Sequence, residues 1–120
     1  MRTRVRAAAS VAALALVLVA CGGDEAAGPL TVCSDIPYPP FEFEDPDAAL
    51  GYSGFDIELI AAIGEELGRE VEIVVTGFDA LTSGTAMAAG TCELAISAMT
   101  ITAERDEQID FSDPYYEADQ

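Results

Sequence analysis

The stretch Ser97-Ala98-Met99-Thr100-Ile101-Thr102-Ala103-Glu104-Arg105 has the clearest capacity for chemistry in the chain. Small and hydroxyl-bearing residues leave a strand and enter a helix N-terminus, where backbone N–H groups lack intrahelical partners and can meet an anion. Arg105, one turn further on, adds a planar fork of donors suited to a carboxylate. The competing reading is a surface arginine paired with Glu104 or Asp106. Arg69, beside the end of another helix, reads as a favourable end charge. Tyr38, Phe78 and Tyr52 are candidate pocket walls. Tyr38 stands among prolines in an irregular loop, which favours contact with a ligand over a place in the core. Asp35 is either the partner of a ligand's polar tip or a loop cap bonded to backbone N–H groups.

The residues that are missing narrow the chemistry. The chain has no histidine, and no lysine occurs in it. Ser-His-Asp catalysis, histidine metal sites and a lysine Schiff base are therefore excluded, and nothing asks for a cofactor. The run Asp45-Pro46-Asp47 lacks the repeating oxygens of a calcium loop and reads as a solvated turn.

Five basic residues face 22 acidic ones. Three of the five, Arg2, Arg4 and Arg6, precede an apolar stretch from Ala7 to Ala20. That layout reads as a secretory signal over residues 1–20, too short for the ~20 residues of a membrane-spanning helix. It ends in Leu18-Val19-Ala20-Cys21-Gly22-Gly23, which resembles a bacterial lipobox, so Cys21 is the expected site of lipidation and of membrane anchoring. Residues 21–29 then form a flexible tether. All the acidic residues follow Cys21, so the mature chain carries a net charge near −20. That excludes nucleic acid as a partner. Such a field repels anionic solutes and concentrates cationic ones, although an acidic surface tuned for solubility accounts for it equally well.

The body, residues 30–120, must position the candidate residues. Leu30 to Ser34 reads as a strand, Asp35 to Pro40 as a proline-rich loop, and Phe41 to Leu50 as a hairpin or loop with Phe41 and Phe43 facing inward. Gly54 to Leu67 is the clearest helix: Phe55, Leu59, Ile60, Ile63 and Leu67 fall within an arc of about 140°. Gly68 stands where a left-handed C-cap belongs. A strand follows over Glu70 to Thr76. A second helical segment runs from Asp79 to Gly90, with Ser83-Gly84 as its weak point. Glu93 to Ser97 forms a third strand, Thr102 caps a helix over Ala103 to Gln108, and Ile109 to Phe111 is a candidate fourth strand.

This alternation implies an α/β domain with a mainly parallel sheet and right-handed crossovers. The order 2-1-3 places a switch point between the first and third strands, where ligands bind beyond the strands' carboxyl ends. The loops that converge there are Asp35 to Pro40 and Ser97 to Thr102, with Phe78 entering after the second strand. For the two cysteines of the body, parallel strands would offset Cys33 and Cys92 by about three residues. At ~3.3 Å per residue that is near 10 Å, beyond the ~7 Å reach of a bridge, so two free thiols are expected.

Four segments together resemble the family 3 bacterial solute-binding proteins, the polar amino-acid binders of ABC importers. They are Asp35 to Phe43, Gly54 to Leu59, Thr100 to Arg105, and Asp110-Phe111-Ser112-Asp113-Pro114-Tyr115-Tyr116. The resemblance implies a periplasmic-binding-protein-like type II lobe, no enzymatic activity, a place outside the cytoplasm and partnership with ABC permease subunits. It further implies that Arg105 and the Thr100 amide and hydroxyl hold the α-carboxylate of a free amino acid, and that Ser97 meets its α-amino end. Tyr38 and Phe78 would pack on the side chain, and Asp35 would meet its polar tip. Ala98 stands where the family often has serine, so a hydroxyl contact is lost there. The resemblance also implies that Gln120 falls where the chain crosses into a second lobe, and one lobe alone is expected to bind weakly or not at all. A polar or cationic amino acid is the expected ligand. The alternatives are a dehydratase on the same fold and an extracellular sensor domain.

Overall fold

The computed structural model describes residues 28–118. The signal segment and Cys21 lie outside the described residues. A central strand β1 (Leu30–Ser34) is flanked on both sides. Two short strands, β2 (Phe43–Glu44) and β3 (Tyr52–Ser53), form an antiparallel hairpin ahead of helix α1 (Phe55–Leu67). Strand β4 (Val71–Val75) and helices α2 (Phe78–Thr82) and α3 (Thr85–Ala88) come next. They are followed by β5 (Leu94–Ala95) and α4 (Ala103–Asp106). The three-stranded sheet has the order β4-β1-β5 and is parallel throughout. Counted along the chain within that sheet, this is the expected 2-1-3 order.

β1 is apolar on both faces because both are covered. Leu30 and Val32 pack with Ile60 of α1 and with Ile96, whereas Cys33 packs with Leu81, Ala86 and Cys92 on the opposite side. The register runs from Leu30 opposite Val71 to Ser34 opposite Val75, and pairs Cys33 with Ala95. Two loops therefore leave adjacent parallel strands at the same end of the sheet. These are the Asp35 and Ser97 loops, and their meeting follows from the register alone.

Helix α1 departs from its expected orientation. Its buried residues are Asp56, Ile57, Ile60 and Gly64, while Phe55, Ile63 and Leu67 stay exposed. At 100° per residue the buried face is turned roughly 80° from the apolar arc. Two features set this turn. Gly64 lies so close to the Val71 side chain that a Cβ there would collide with it. Asp56 points inward, where polar partners wait for it. Gly54 begins the helix at φ 125, with a backbone against the Phe41 carbonyl that leaves no room for a Cβ. The left-handed cap at Gly68 is present as expected.

Other elements are shorter than their sequence pattern predicts. The second helical segment is split at Ser83-Gly84, where Gly84 takes φ 72, a conformation costly for other residues. β5 is confined to Leu94–Ala95, and Ile109 to Phe111 forms no strand. In the hairpin segment the fully buried side chain is Glu42, while Phe41 and Phe43 are half-buried.

The expected free thiols are in fact a disulfide. Cys33 and Cys92 are bonded, with Cα atoms 5.7 Å apart. The offset argument assumed that Cys92 lies in an extended strand. Instead the chain turns sharply after α3, with the Thr91 N–H bonded to the Ala86 carbonyl. That turn brings Cys92 under β1 beside Leu81 and Ala86. Arg69 also does more than end a helix. Its guanidinium grips Glu93 at 2.6 and 2.9 Å and donates to the Gly28 and Pro29 carbonyls.

Candidate functional site

Beyond the carboxyl ends of β1 and β5 lies a cleft of about 400 Å³, lined by Asp35, Pro37, Tyr38, Phe78, Ser97, Ala98, Thr100 and Arg105. Seven candidate residues of the body are among them, whereas Tyr52, the other candidate wall, lies in β3 and does not line the cleft. Each arrives from a different constraint. β1 ends at Ser34 and delivers Asp35; the Tyr38–Glu42 bridge shapes the proline loop that raises Tyr38, which is 56% exposed. Phe78 opens α2 directly after β4, and α4 carries Arg105.

The arginine is fixed on two sides. Its Nη1 donates to the Thr100 carbonyl at 2.9 Å, and its guanidinium carbon stands 5.1 Å from the centre of the Phe78 ring. Stacking on an aromatic face leaves the edges of the fork for planar hydrogen bonding, and the Thr100 bond takes one of five donors. Neither Glu104 nor Asp106 pairs with it among the described residues; the ion pair there is Arg69–Glu93. Thr102 caps α4 by accepting from the Arg105 N–H at 3.3 Å, which anchors the helix that holds the guanidinium. The cleft thus presents a cation, hydroxyls, two aromatic rings and a carboxylate.

Ser97 and Asp35 are tied together, because the Asp35 N–H donates to the Ser97 hydroxyl at 3.1 Å. Ser97 is buried, and its hydroxyl in turn donates to Glu42 Oε1 at 2.6 Å. Ala98 is left-handed at φ 43, the one non-glycine residue with positive φ among those described. Its N–H donates to Asp56 Oδ2 at 2.5 Å. Glu42 and Asp56 therefore underlie the cleft as a second layer, fully buried and absent from the sequence-derived set. Burial pushes the Glu42 carboxyl up to about 7; the Ser97 bond opposes this, and the negative charge of Asp56 adds to it. Burial also raises Asp56, against the Ala98 N–H and the Tyr115 hydroxyl, which favour its charged form. No pattern of residue types flagged this pair, since an acid in a helical or hairpin segment ordinarily faces water.

A larger hollow of about 580 Å³ adjoins the cleft beyond Tyr38 and Thr100, walled by Phe41 and the stretch Phe111 to Ala118. It contains no arginine. The smaller cleft is the better candidate, since it alone joins a cation to hydroxyl and aromatic groups.

A family model described as bacterial extracellular solute-binding proteins, family 3, matches residues 30–120. The arginine-binding extracellular protein ArtP of Bacillus subtilis is 35% identical over 112 residues, which cover 89% of this chain and 42% of ArtP. An ancestral arginine-binding protein bound to glutamine is 42% identical with a TM-score of 0.67, covering 76% of this chain and 39% of that one. The arginine-bound form of domain 1 from TmArgBP is 40% identical with a TM-score of 0.65, covering 74% of this chain and 68% of that one. A cyclohexadienyl dehydratase of Pseudomonas aeruginosa is 32% identical over 88 residues, 73% of this chain and 31% of the enzyme. The chain spans about two fifths of the length of the curated relatives it matches.

Proposed function

The chain belongs to the family 3 bacterial extracellular solute-binding proteins, and from that premise we propose that it is the first lobe of the amino-acid-capturing component of an ABC importer. The observation that carries this reading is the Arg105 guanidinium, stacked on Phe78 and bonded to Thr100 in a cleft also lined by Asp35. In it the α-carboxylate of a free amino acid meets the open edge of the Arg105 fork and the Thr100 region. The α-amino group meets the Ser97 side of the cleft, and the side chain runs between Tyr38 and Phe78 towards Asp35. Capture by Cys21 lipidation at the outer face of the cell membrane, and delivery to permease subunits, complete the proposed role. Among the described residues no helix is long and apolar enough to cross a membrane.

A polar or cationic side chain suits a site that ends in a carboxylate, since a desolvated carboxylate needs a donor or a positive charge. Relatives described as binding arginine, histidine or glutamine support that class. The arginine-bound domain 1 from TmArgBP favours weak binding over none: a first lobe of this kind is taken to hold arginine by itself, with a second lobe adding affinity. The dehydratase relative keeps an enzymatic reading in view. Against it, the cleft offers no histidine or lysine, and Asp35 is its one carboxylate.

Calorimetric titration of arginine, glutamine and leucine into the protein and its Arg105→Ala variant tests the reading. Loss of a charge-assisted pair worth about 2–3 kcal/mol weakens arginine and glutamine alike by ~100-fold. Arginine binding that survives Arg105→Ala unchanged would contradict it.

A further inference from the structure

The buried layer under the cleft has a job that its members' surroundings define. Glu42 and Asp56 are both fully buried, and each holds one residue of the ligand loop: Glu42 the Ser97 hydroxyl, Asp56 the Ala98 N–H. Each also has one oxygen, Glu42 Oε2 and Asp56 Oδ1, that finds no donor among the described groups while both acids are ionised. The two carboxyl groups are near enough for the charge of Asp56 to raise Glu42, and a proton held between the two orphaned oxygens would give each a partner. The titratable groups facing the pair are Asp35 from the loop after β1 and Tyr115 from the C-terminal stretch. The described arginines are engaged elsewhere, Arg69 with Glu93 and Arg105 with Thr100 and Phe78. No positive charge therefore offsets a second negative one, and a single shared proton is the arrangement that leaves both acids satisfied.

We propose that Glu42 and Asp56 form a proton-sharing clamp that positions the ligand loop, Asp56 holding Ala98 in its left-handed conformation and Glu42 fixing the Ser97 hydroxyl. This rests on the amino-acid-binding reading of the cleft and extends it to two residues that no ligand touches. Left-handed backbone is disfavoured for alanine. The Asp56 acceptor supplies the bond that keeps Ala98 there, and so aims the Thr100 end of the loop at Arg105. The Tyr115 hydroxyl reaches the same Asp56 carboxylate, so the clamp also joins the loop to the Asp-Pro-Tyr-Tyr segment. Above neutral pH, loss of the shared proton sets two buried negative charges side by side and loosens the loop; this agrees with a Glu42 carboxyl raised to about 7.

Amide hydrogen exchange and the chemical shift of Ala98, followed by NMR from pH 5 to 9, test the clamp without any ligand. The wild-type Ala98 resonance should titrate near neutral pH, and Glu42→Gln, which mimics the protonated acid, should abolish that titration while keeping the loop protected. Asp56→Ala should speed Ala98 exchange by ~10-fold or more, and Asp56→Asn, which retains an acceptor, should restore most of the protection. An Ala98 titration that persists in Glu42→Gln overturns the proposal, as does Ala98 exchange unchanged in a folded Asp56→Ala. Should Asp56→Ala fail to fold, the Glu42→Gln titration decides. In parallel, L-arginine affinity should fall ~10-fold in folded Asp56→Ala and recover in Asp56→Asn; equal affinity in all three refutes the positioning role. Failure of the wild type to bind arginine, glutamine or leucine would instead refute the amino-acid reading, and the amide measurements would still judge the clamp.

Discussion

On its outer side the Ser97–Thr100 loop meets Arg105, Phe78 and the carboxylate of Asp35; on its inner side it meets Glu42, Asp56 and, through Asp56, Tyr115. The outer groups are charged or aromatic and reachable by solvent, so their interactions are screened and adaptable, and they suit recognition of something that comes and goes. Of the inner groups, Glu42 and Asp56 are cut off from water. There a carboxyl group is tolerated only with its hydrogen bonds filled, so the inner side suits holding a backbone in one conformation. One loop is thus gripped for precision from below and left open for binding from above. The difference teaches that the cleft's recognition chemistry and its geometry are supplied by separate residues and can be perturbed separately.

The largest effect should come from a bond that belongs to neither side. The Cys33–Cys92 bridge closes a sequence separation of 59 residues under the sheet that carries the loop. Its removal by Cys33→Ser with Cys92→Ser should cost about 4 kcal/mol on chain-entropy grounds, read as a lower denaturant midpoint. Cleft and clamp should then weaken together, since both depend on β1 and its neighbour. Mass spectrometry of alkylated, unreduced protein should find the pair linked; two alkylated thiols would contradict the structure.

A smaller effect separates the inner side from the outer. Glu42 has its carboxyl raised from 4.5 to about 7 in the folded protein. Between those values the folded state holds a proton that the unfolded state has lost, so this group's contribution to stability is fullest below about pH 4.5. It declines as pH rises to about 7 and is flat above. Glu42→Gln should remove that decline and gain up to about 3 kcal/mol on the wild type by pH 8, measured by urea unfolding at several pH values. A stability difference independent of pH would break the distinction between the two sides.

Asp35→Ala probes chiefly the outer side, the Asp35 charge reaching Glu42 only as a minor contribution. It should weaken arginine or glutamine by ~10-fold while leaving leucine nearly unchanged, and should leave the unfolding free energy from urea titration within about 0.5 kcal/mol of the wild type, as for other surface changes. Equal losses for all three ligands would assign Asp35 to loop capping instead.

These contrasts also explain what the sequence discloses. The 2-1-3 sheet, the α1 and α4 caps and the convergence of the Asp35 and Ser97 loops follow from local periodicity and turn residues, which act through neighbours in the chain. The cleft residues were legible for a related reason: an arginine just inside a helix and a tyrosine among prolines are conspicuous by type and position. The inner layer was not legible. Asp56 lies on a helix whose apolar arc pointed elsewhere, and only the contacts of Ala98 and of Gly64 with Val71 reveal which face turns inward. The disulfide was missed because the turn that brings Cys92 under β1 is set by the local Thr91–Ala86 backbone bond across a left-handed Gly90 and by packing against Leu81 and Ala86, not by an extended run into the third strand.

The central claim is that this lobe grips the α-carboxylate of a free amino acid through Arg105. Calorimetry with L-arginine and with agmatine, which keeps the guanidinium and amine but lacks that carboxylate, tests it most directly. The account predicts that the protein binds arginine at least ~100-fold more tightly than agmatine, and that Arg105→Ala brings the two close to equality. Equal affinity for arginine and agmatine in the wild-type protein would contradict it.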